Sequence, residues 1–293
     1  MKDYVLRAMD EGGNLRVFIA STTNLVNEAR NIHDTMPTAT AALGRTLTAG
    51  VLMGSTLKND SDKLSIQISG DGLIKSVLAV ANNRGEVKGY ISNPNANPRL
   101  NSIGKLDVGG AIGNGKMVVI RDLGLREPYI GHADLVSGEI AEDLTHYFAH
   151  SEQQPSAVAL GVLVDVDLSV KASGGYIIQV LPDAEEEVIS KLEQKLSSIE
   201  PVSTLIDKGY TPEDILNHLF DDLEMKILEK KEVKLVCDCS DDRIEQALIS
   251  LGEKEINDII KEDGKAEIVC HFCNHKYQFD KKGLLNILEK AKN

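Results

Sequence analysis

Over Lys63-Leu64-Ser65-Ile66-Gln67-Ile68-Ser69 polar and apolar residues alternate one for one, the pattern of a strand with one buried face. Tyr4 to Met9 and Leu15 to Ala20 flank Gly12-Gly13-Asn14 and predict a hairpin. Leu73 to Ala81 and Glu86 to Ile91 predict a second one across Asn82-Asn83-Arg84-Gly85. Further strands are expected at Lys116 to Arg121, Ala157 to Val164 and Tyr176 to Leu181. Between them the period changes. Ser21-Thr22-Thr23-Asn24 offers caps for a helix reaching about His33. Pro37 opens another, from Thr38 to about Leu57, with Ala39, Ala42, Leu43, Leu47, Val51 and Leu52 on its apolar side. Its alanines, with Gly44, Gly50 and Gly54, predict close packing in a core. Ser137 is the expected cap of a helix from Glu139 to His150. The pattern is that of an α+β domain with antiparallel sheets.

Beyond Leu181 the helical period takes over. Val188, Ile189, Leu192, Leu196 and Ile199 recur at three and four, and Pro201 ends that stripe. Thr211 caps a helix with Pro212 at its first position, followed by Ile215, Leu216, Leu219 and Phe220. Near the C-terminus Ser240 caps a helix carrying Ile244, Ala247, Leu248 and Leu251, which Gly252 stops. A short helix with Ile256, Ile259 and Ile260, a hairpin, and a last helix with Leu284, Leu285, Ile287 and Leu288 complete the chain. So few large apolar groups make a marginal core, and a metal is a common staple for such a unit.

Charge sharpens the division. The 293 residues carry a net −13, distributed as −3 up to Leu181, −8 from Pro182 to Lys230 and −2 from Lys231 onward. The expected domains are therefore an α+β core over 1–181, an acidic helical linker over 182–230 and a small C-terminal metal-binding domain over 231–293. An acidic chain disfavours nucleic acid and anionic membranes as partners. No run of about 18 apolar residues is present, and Met1 to Arg7 lacks an apolar signal core. These features predict a cytoplasmic protein that neither spans nor binds a membrane.

The four cysteines of the chain are Cys237, Cys239, Cys270 and Cys273, a C-x-C pair and a C-x-x-C pair thirty residues apart. Short-spaced pairs in a polar setting indicate a metal or redox framework. Glu232 to Val236 is strand-like, and an extended segment points residues i and i+2 the same way, so Cys237 and Cys239 can present both sulfurs on one side. C-x-x-C suits the turn of a hairpin between Ala266–Val269 and Lys276–Phe279. Four thiolates form a closed tetrahedral shell of the kind that holds structural Zn²⁺. His271 and His275 are alternative ligands, although four cysteines already fill that shell. Zinc-bound thiolates are open to oxidation, and a disulfide to a neighbour two or three residues away would eject the metal.

Other constellations predict less. Gly110-Ala111-Ile112-Gly113-Asn114-Gly115-Lys116 fits G-x-x-x-x-G-K, but Met117 stands where Ser or Thr would hold Mg²⁺, and strand-like sequence follows. A glycine turn without a nucleotide is expected. His33, His132, His146 and His150 show neither triad nor ligand spacing. Two rival function classes make different demands on these cysteines. A catalytic C-x-x-C opens a helix in thiol oxidoreductases, whereas Cys273 runs into strand-like sequence. A zinc ribbon that binds nucleic acid would be basic, whereas this block is slightly acidic.

C-x-C, a gap of thirty and C-x-x-C at the end of a chain of this size resemble the bacterial redox-switched holdase family, heat-shock protein 33 (the 33 kDa chaperonin family). Cys270-His271-Phe272-Cys273-Asn274, continuing through Tyr277 and Phe279, resembles its zinc knuckle. Pro37 to Arg45, Gly89 to Pro94, Val136 to Glu139 and Ser151-Glu152-Gln153 resemble its core motifs, so the likeness spans the chain. Leu73 departs from it, Pro being common there, at a turn. The resemblance implies a non-enzymatic chaperone whose core domain binds clients. One zinc is held by Cys237, Cys239, Cys270 and Cys273 in the reduced, inactive state. Oxidation then joins Cys237 to Cys239 and Cys270 to Cys273, zinc is lost and the linker unfolds. A homodimer forms, and unfolding client proteins are held without ATP.

Overall fold

The computed structural model describes residues 2–102 and 104–291. In chain order the elements are β1 (Tyr4–Asp10), β2 (Leu15–Ser21), α1 (Thr23–His33), α2 (Pro37–Gly54), β3 (Lys63–Gly70), β4 (Ser76–Asn82) and β5 (Glu86–Ile91). There follow α3 (Val108–Ile112), β6 (Gly115–Asp122), β7 (Tyr129–Asp134), α4 (Ala141–His150), β8 (Ser156–Val164) and β9 (Val170–Val180). The acidic segment gives α5 (Glu186–Ser198), α6 (Val202–Asp207) and α7 (Pro212–Leu219), then β10 (Met225–Glu232) and β11 (Lys234–Leu235). Last come α8 (Asp241–Leu251), α9 (Glu253–Glu262), β12 (Lys265–Val269), β13 (Lys276–Asp280) and α10 (Lys281–Ala291). The α+β class expected from the pattern is the class observed. Two compact units divide the chain, Met1–Val236 and Cys237–Asn293.

The first unit holds a five-stranded sheet, β10-β1-β2-β9-β8, and a six-stranded one, β11-β5-β4-β3-β6-β7. All their pairings are antiparallel except β11 on β5. Both sheets contribute to one core around α2, in which 16 of 18 residues are buried. The helix therefore has no solvent face, where the spacing alone predicted one apolar side. Its small residues make that possible. A Cβ on Gly44 would stand 2.5 Å from Val26 Cγ1 and 2.9 Å from Val162 Cγ2. The buried threonines keep hydrogen-bond partners, as buried polar groups must. Thr46 Oγ1 donates to the Ala42 carbonyl at 2.8 Å, and Thr48 Oγ1 meets Thr22 Oγ1 at 2.7 Å.

Strand alternation turns Leu6, Ala8, Leu15, Val17 and Ile19 to the other face of the first sheet. The acidic segment covers that face. Val188 and Leu192 of α5, Leu205 and Ile206 of α6, and Ile215, Leu216 and Leu219 of α7 are buried against it. The apolar stripes read from the sequence are thus one side of a second core. Polar contacts tie α7 down. Tyr4 Oη and Lys230 Nζ both engage Glu213, and Thr211 and Asp214 form the reciprocal cap of the helix start.

Three local differences from the expected elements have physical causes. The helix expected from Glu139 starts at Ala141, because the capping acceptor is Asp143 rather than Ser137. Its carboxylate accepts N–H groups of Val136, Ser137, Gly138 and Ile140 at 2.8–3.3 Å. β7 was missed because Tyr129–Asp134, an edge strand, lacks apolar alternation. Met225–Glu232 is a charged edge strand, and lysine on an edge is a known guard against further pairing.

Asp3 is a buried carboxylate at the start of α1. It accepts the Leu25 N–H at 2.7 Å and Asn24 Nδ2–H at 3.1 Å. Burial outweighs these bonds and raises its pKa from 3.8 to about 6. The folded state then binds the proton more tightly than the unfolded chain. That contribution is full below about pH 4 and lost as pH rises to about 6. Asp3→Asn is expected to remove this slope, worth about 2–3 kcal/mol across the window. Denaturant titrations of both proteins from pH 4 to 7 check it; parallel stability curves would contradict it.

The second unit is small. Its core is Leu248, Ile256, Leu284, Ile287 and Leu288, with Ile259, Ile260, Ile268 and Phe279 partly buried around them. β12 and β13 form an antiparallel hairpin whose tip carries the C-x-x-C pair.

Candidate metal centre

Each cysteine is placed by a local device. Cys237 and Cys239 lie in a non-repetitive segment ahead of α8. The Arg243 side chain donates to both the carbonyl and the carboxylate of Asp238, fixing the residue between them. Ser240 Oγ then accepts the Arg243 N–H at 3.3 Å and starts the helix. On the other side the hairpin tip closes tightly. Cys270 N–H donates to the His275 carbonyl at 2.9 Å, and Asn274 N–H donates to the Cys270 carbonyl at 2.8 Å. Asn274 adopts φ 57°, the left-handed region that asparagine tolerates better than most residues.

The result is one cluster. All four Sγ atoms lie within 4.8 Å of one another. Cys237 and Cys270 are 3.7 Å apart and Cys239 and Cys273 3.4 Å apart, all four as free thiols. A tetrahedral Zn–S shell with bonds of about 2.3 Å has S···S edges of about 3.8 Å. The sulfurs are therefore spaced as such a shell needs, and the cluster could hold a metal ion. Among the described residues these four cysteines are the one group of donors so gathered. His271 and His275 do not join it; both are exposed, and the His275 ring packs edge-on against Tyr277 at 4.7 Å.

Cys237, Cys239 and Cys273 do not share one acidity. Burial raises Cys237 far above the ordinary thiol range and also raises Cys273. Burial also disfavours the Cys239 thiolate, but hydrogen bonds from the Tyr277 hydroxyl and the other thiols outweigh it and bring its pKa down to about 7. Tyr277 is a contributor the spacing did not announce. Its signal was position: it stands on the strand that leaves the knuckle, with its side chain buried.

The glycine run Gly110 to Lys116 is no phosphate loop. α3 comes before the turn, Gly113 takes φ 76°, and Gly115 enters β6 directly, so no helix N-terminus faces a phosphate. His33 Nε2 contacts the Gly89 carbonyl at 3.1 Å, and His146 and His150 stack on each other at 4.0 Å.

A sequence model of the Hsp33 protein family matches residues 3–280. The chain belongs to the Hsp33 family. This Hsp33 chain is 53% identical to the 33 kDa chaperonin of Alkaliphilus oremlandii over 97% of its own length and 95% of that protein. It is 51% identical to the 33 kDa chaperonin of Clostridioides difficile over 99% and 100% of the two chains. The crystal structure of the 33 kDa chaperonin (heat shock protein 33 homolog) from Thermotoga maritima superposes with a TM-score of 0.93 at 37% identity, covering both chains completely. These relatives are named as chaperonins, a non-enzymatic role. No helix of the described Hsp33 residues is long and apolar enough to cross a membrane.

Proposed function

We propose that this chaperonin is a redox-regulated, ATP-independent holdase of the bacterial cytoplasm. In the reduced protein Cys237, Cys239, Cys270 and Cys273 hold one zinc ion and the chaperone is inactive. Zinc, when bound, keeps the four sulfurs as thiolates and cross-links the knuckle to the segment before α8. The observation that carries this reading is four thiol sulfurs gathered within 4.8 Å in a unit with five buried core side chains. So small a core depends on its cross-link.

Oxidation acts on the cysteines themselves. Attack of a thiolate on peroxide gives a sulfenic acid and hydroxide; a second thiolate then displaces the new hydroxyl and forms the disulfide. Each pair gives up two electrons, each peroxide becomes two waters once protons are taken up, and two disulfides consume two peroxides. Pairing Cys237 with Cys239 and Cys270 with Cys273 removes the ligands and releases the ion. The cross-link between the two cysteine-bearing segments is lost with it. The second unit and the acidic helices then unfold, exposing the apolar face of the first sheet to unfolding client proteins, and a homodimer forms. Neither nucleotide, nucleic acid nor membrane takes part.

The disulfide pattern tests the chemistry directly. Two sulfur contacts cross between the segments, Cys237 to Cys270 at 3.7 Å and Cys239 to Cys273 at 3.4 Å. The neighbour pairing leaves the segments unlinked, whereas the cross pairing would keep them tied. Peptide mapping of peroxide-treated protein is expected to show Cys237–Cys239 and Cys270–Cys273. Predominant cross-linked peptides joining the two segments would contradict the proposed release.

A further inference from the structure

Directly before Cys237 the chain crosses from one large sheet to the other. β10 ends in the first sheet at Glu232, and β11 enters the second at Lys234. Three backbone donors hold the crossing. Val233 N–H donates to the Asp3 carbonyl at 3.2 Å, Lys234 N–H to the Gly85 carbonyl at 2.9 Å and Val236 N–H to the Val87 carbonyl at 2.9 Å. Side chains alternate as in any extended segment. Val233 is buried in the α2 core, Lys234 is exposed, and Leu235 packs against the same core.

The place this segment fills is built for a short strand. Gly85, in the turn before β5, takes φ 79°, and a Cβ there would stand 2.3 Å from the Glu232 carbonyl oxygen. Glycine thus lets a second backbone approach. The Asn83 carbonyl of the same turn accepts Lys231 Nζ at 2.6 Å. Further along β5 the Gly89 carbonyl already meets His33 Nε2 at 3.1 Å. A cleft of about 360 Å³ separates the segment from Asp3, Asn24, Leu25 and Glu28, with room for side chains larger than valine or leucine.

The present occupant is weakly held. β11 pairs in parallel with only Glu86 and Val87 of β5, whereas β10 matches β1 over seven residue pairs. A short parallel pairing fixes backbone for little hydrogen-bond return. A strand added to a sheet edge takes its affinity from backbone bonds and its specificity from pockets under alternate side chains. The contacts of Val233 to Val236 are of that kind, and an unfolding protein exposes many segments able to make them.

We propose that the β5 edge is a docking site for an extended client segment with apolar residues at alternate positions, which enters by displacing residues 233–236. β11 is the resident occupant of that site in the reduced protein. The proposal rests on the redox reading for the moment of opening. Once the chain from Cys237 onward has unfolded, β11 is anchored by β10 alone and exchanges with an incoming strand.

Photo-labelling of the full-length protein tests it. The probe is a six-residue peptide copying Lys231 to Val236, with a photoreactive leucine at the position of Leu235. The oxidised parent, and reduced zinc-loaded Lys234→Pro, should be labelled at α1 or β5 about tenfold or more above the reduced parent. Lys234→Pro removes one of the two N–H groups that reach β5 and leaves every cysteine in place. Val233→Ser, which weakens the buried anchor, supplies the same test if that variant does not fold. A peptide with proline at the position of Lys234 should label about tenfold less. Labelling of the variant but not of the oxidised parent would keep the site and count against oxidative release. No labelling of either, while the oxidised protein still holds clients, would overturn the site and leave the redox reading standing. Equal labelling of the reduced parent, equal labelling by the proline peptide, or labelling only elsewhere would also overturn it. Labelling of β5 only after an oxidised dimer is diluted to monomer would give the edge to a second copy and overturn the client assignment.

Discussion

Cys270→Ser is expected to strip the metal from the reduced protein and unfold residues 237–291 while leaving the two large sheets of the first unit intact. Cys270 is the most buried of the four cysteines, and its N–H and carbonyl both hold the knuckle turn. A hydroxyl is a poor zinc ligand. Structural zinc contributes on the order of 10 kcal/mol or more to small domains, so losing a quarter of it, about 3 kcal/mol, weakens metal binding about a hundredfold. The unit has little else to draw on. Its five buried core side chains cannot offset the chain entropy of more than fifty residues. Hydrogen exchange should therefore show amides of α8, α9 and α10 losing protection while those of β1 to β9 keep theirs. A variant that retained full zinc content and native protection would remove Cys270 from the ligand set.

Ile215→Asp is expected to free the acidic helices without touching the metal. Ile215 is fully buried between α7 and the first sheet. The substitution removes a large aliphatic group and leaves an unpaired carboxylate in an apolar site, a cost of about 3–5 kcal/mol. The surface pairs of this segment, such as Lys195 with Asp221 at 2.8 Å, are screened by solvent and cannot compensate. If covering that face is what silences the chaperone, the variant should suppress client aggregation in the reduced state with its zinc still bound. Activity that still required an oxidant would show that the covered face is not what binds clients. Glu213→Ala, which removes the acceptor for Tyr4 and Lys230, should act in the same direction and more weakly.

Much of the fold was legible because one rule governed each legible element. β3 shows clean alternation, α7 carries both its Pro and its capping box, and the apolar stripe of α5 recurs at helical spacing. The elements that escaped depend on tertiary context. α2 is buried on every side, which no single-face pattern conveys; β7 and β10 are held by backbone pairing at sheet edges, where side chains carry little signal. α4 begins late because Asp143 gathers four backbone N–H groups across a loop. For the site, spacing named the four cysteines, since thiols paired so closely have few other uses. It could not show that Tyr277 leans on Cys239, or that sulfurs of the two segments come within 3.4 and 3.7 Å of each other.

The central claim is that loss of the four-thiolate cluster turns the chaperone on. It is tested most directly by following zinc release with a metal indicator, alongside light scattering of a heat-denatured client, during peroxide treatment of the reduced protein. The account predicts one zinc released per chain, aggregation suppressed only after that release, and full reversal by a thiol reductant together with zinc. Zinc that stays bound while activity appears, or leaves with no gain of activity, would contradict it and leave the cluster a structural staple.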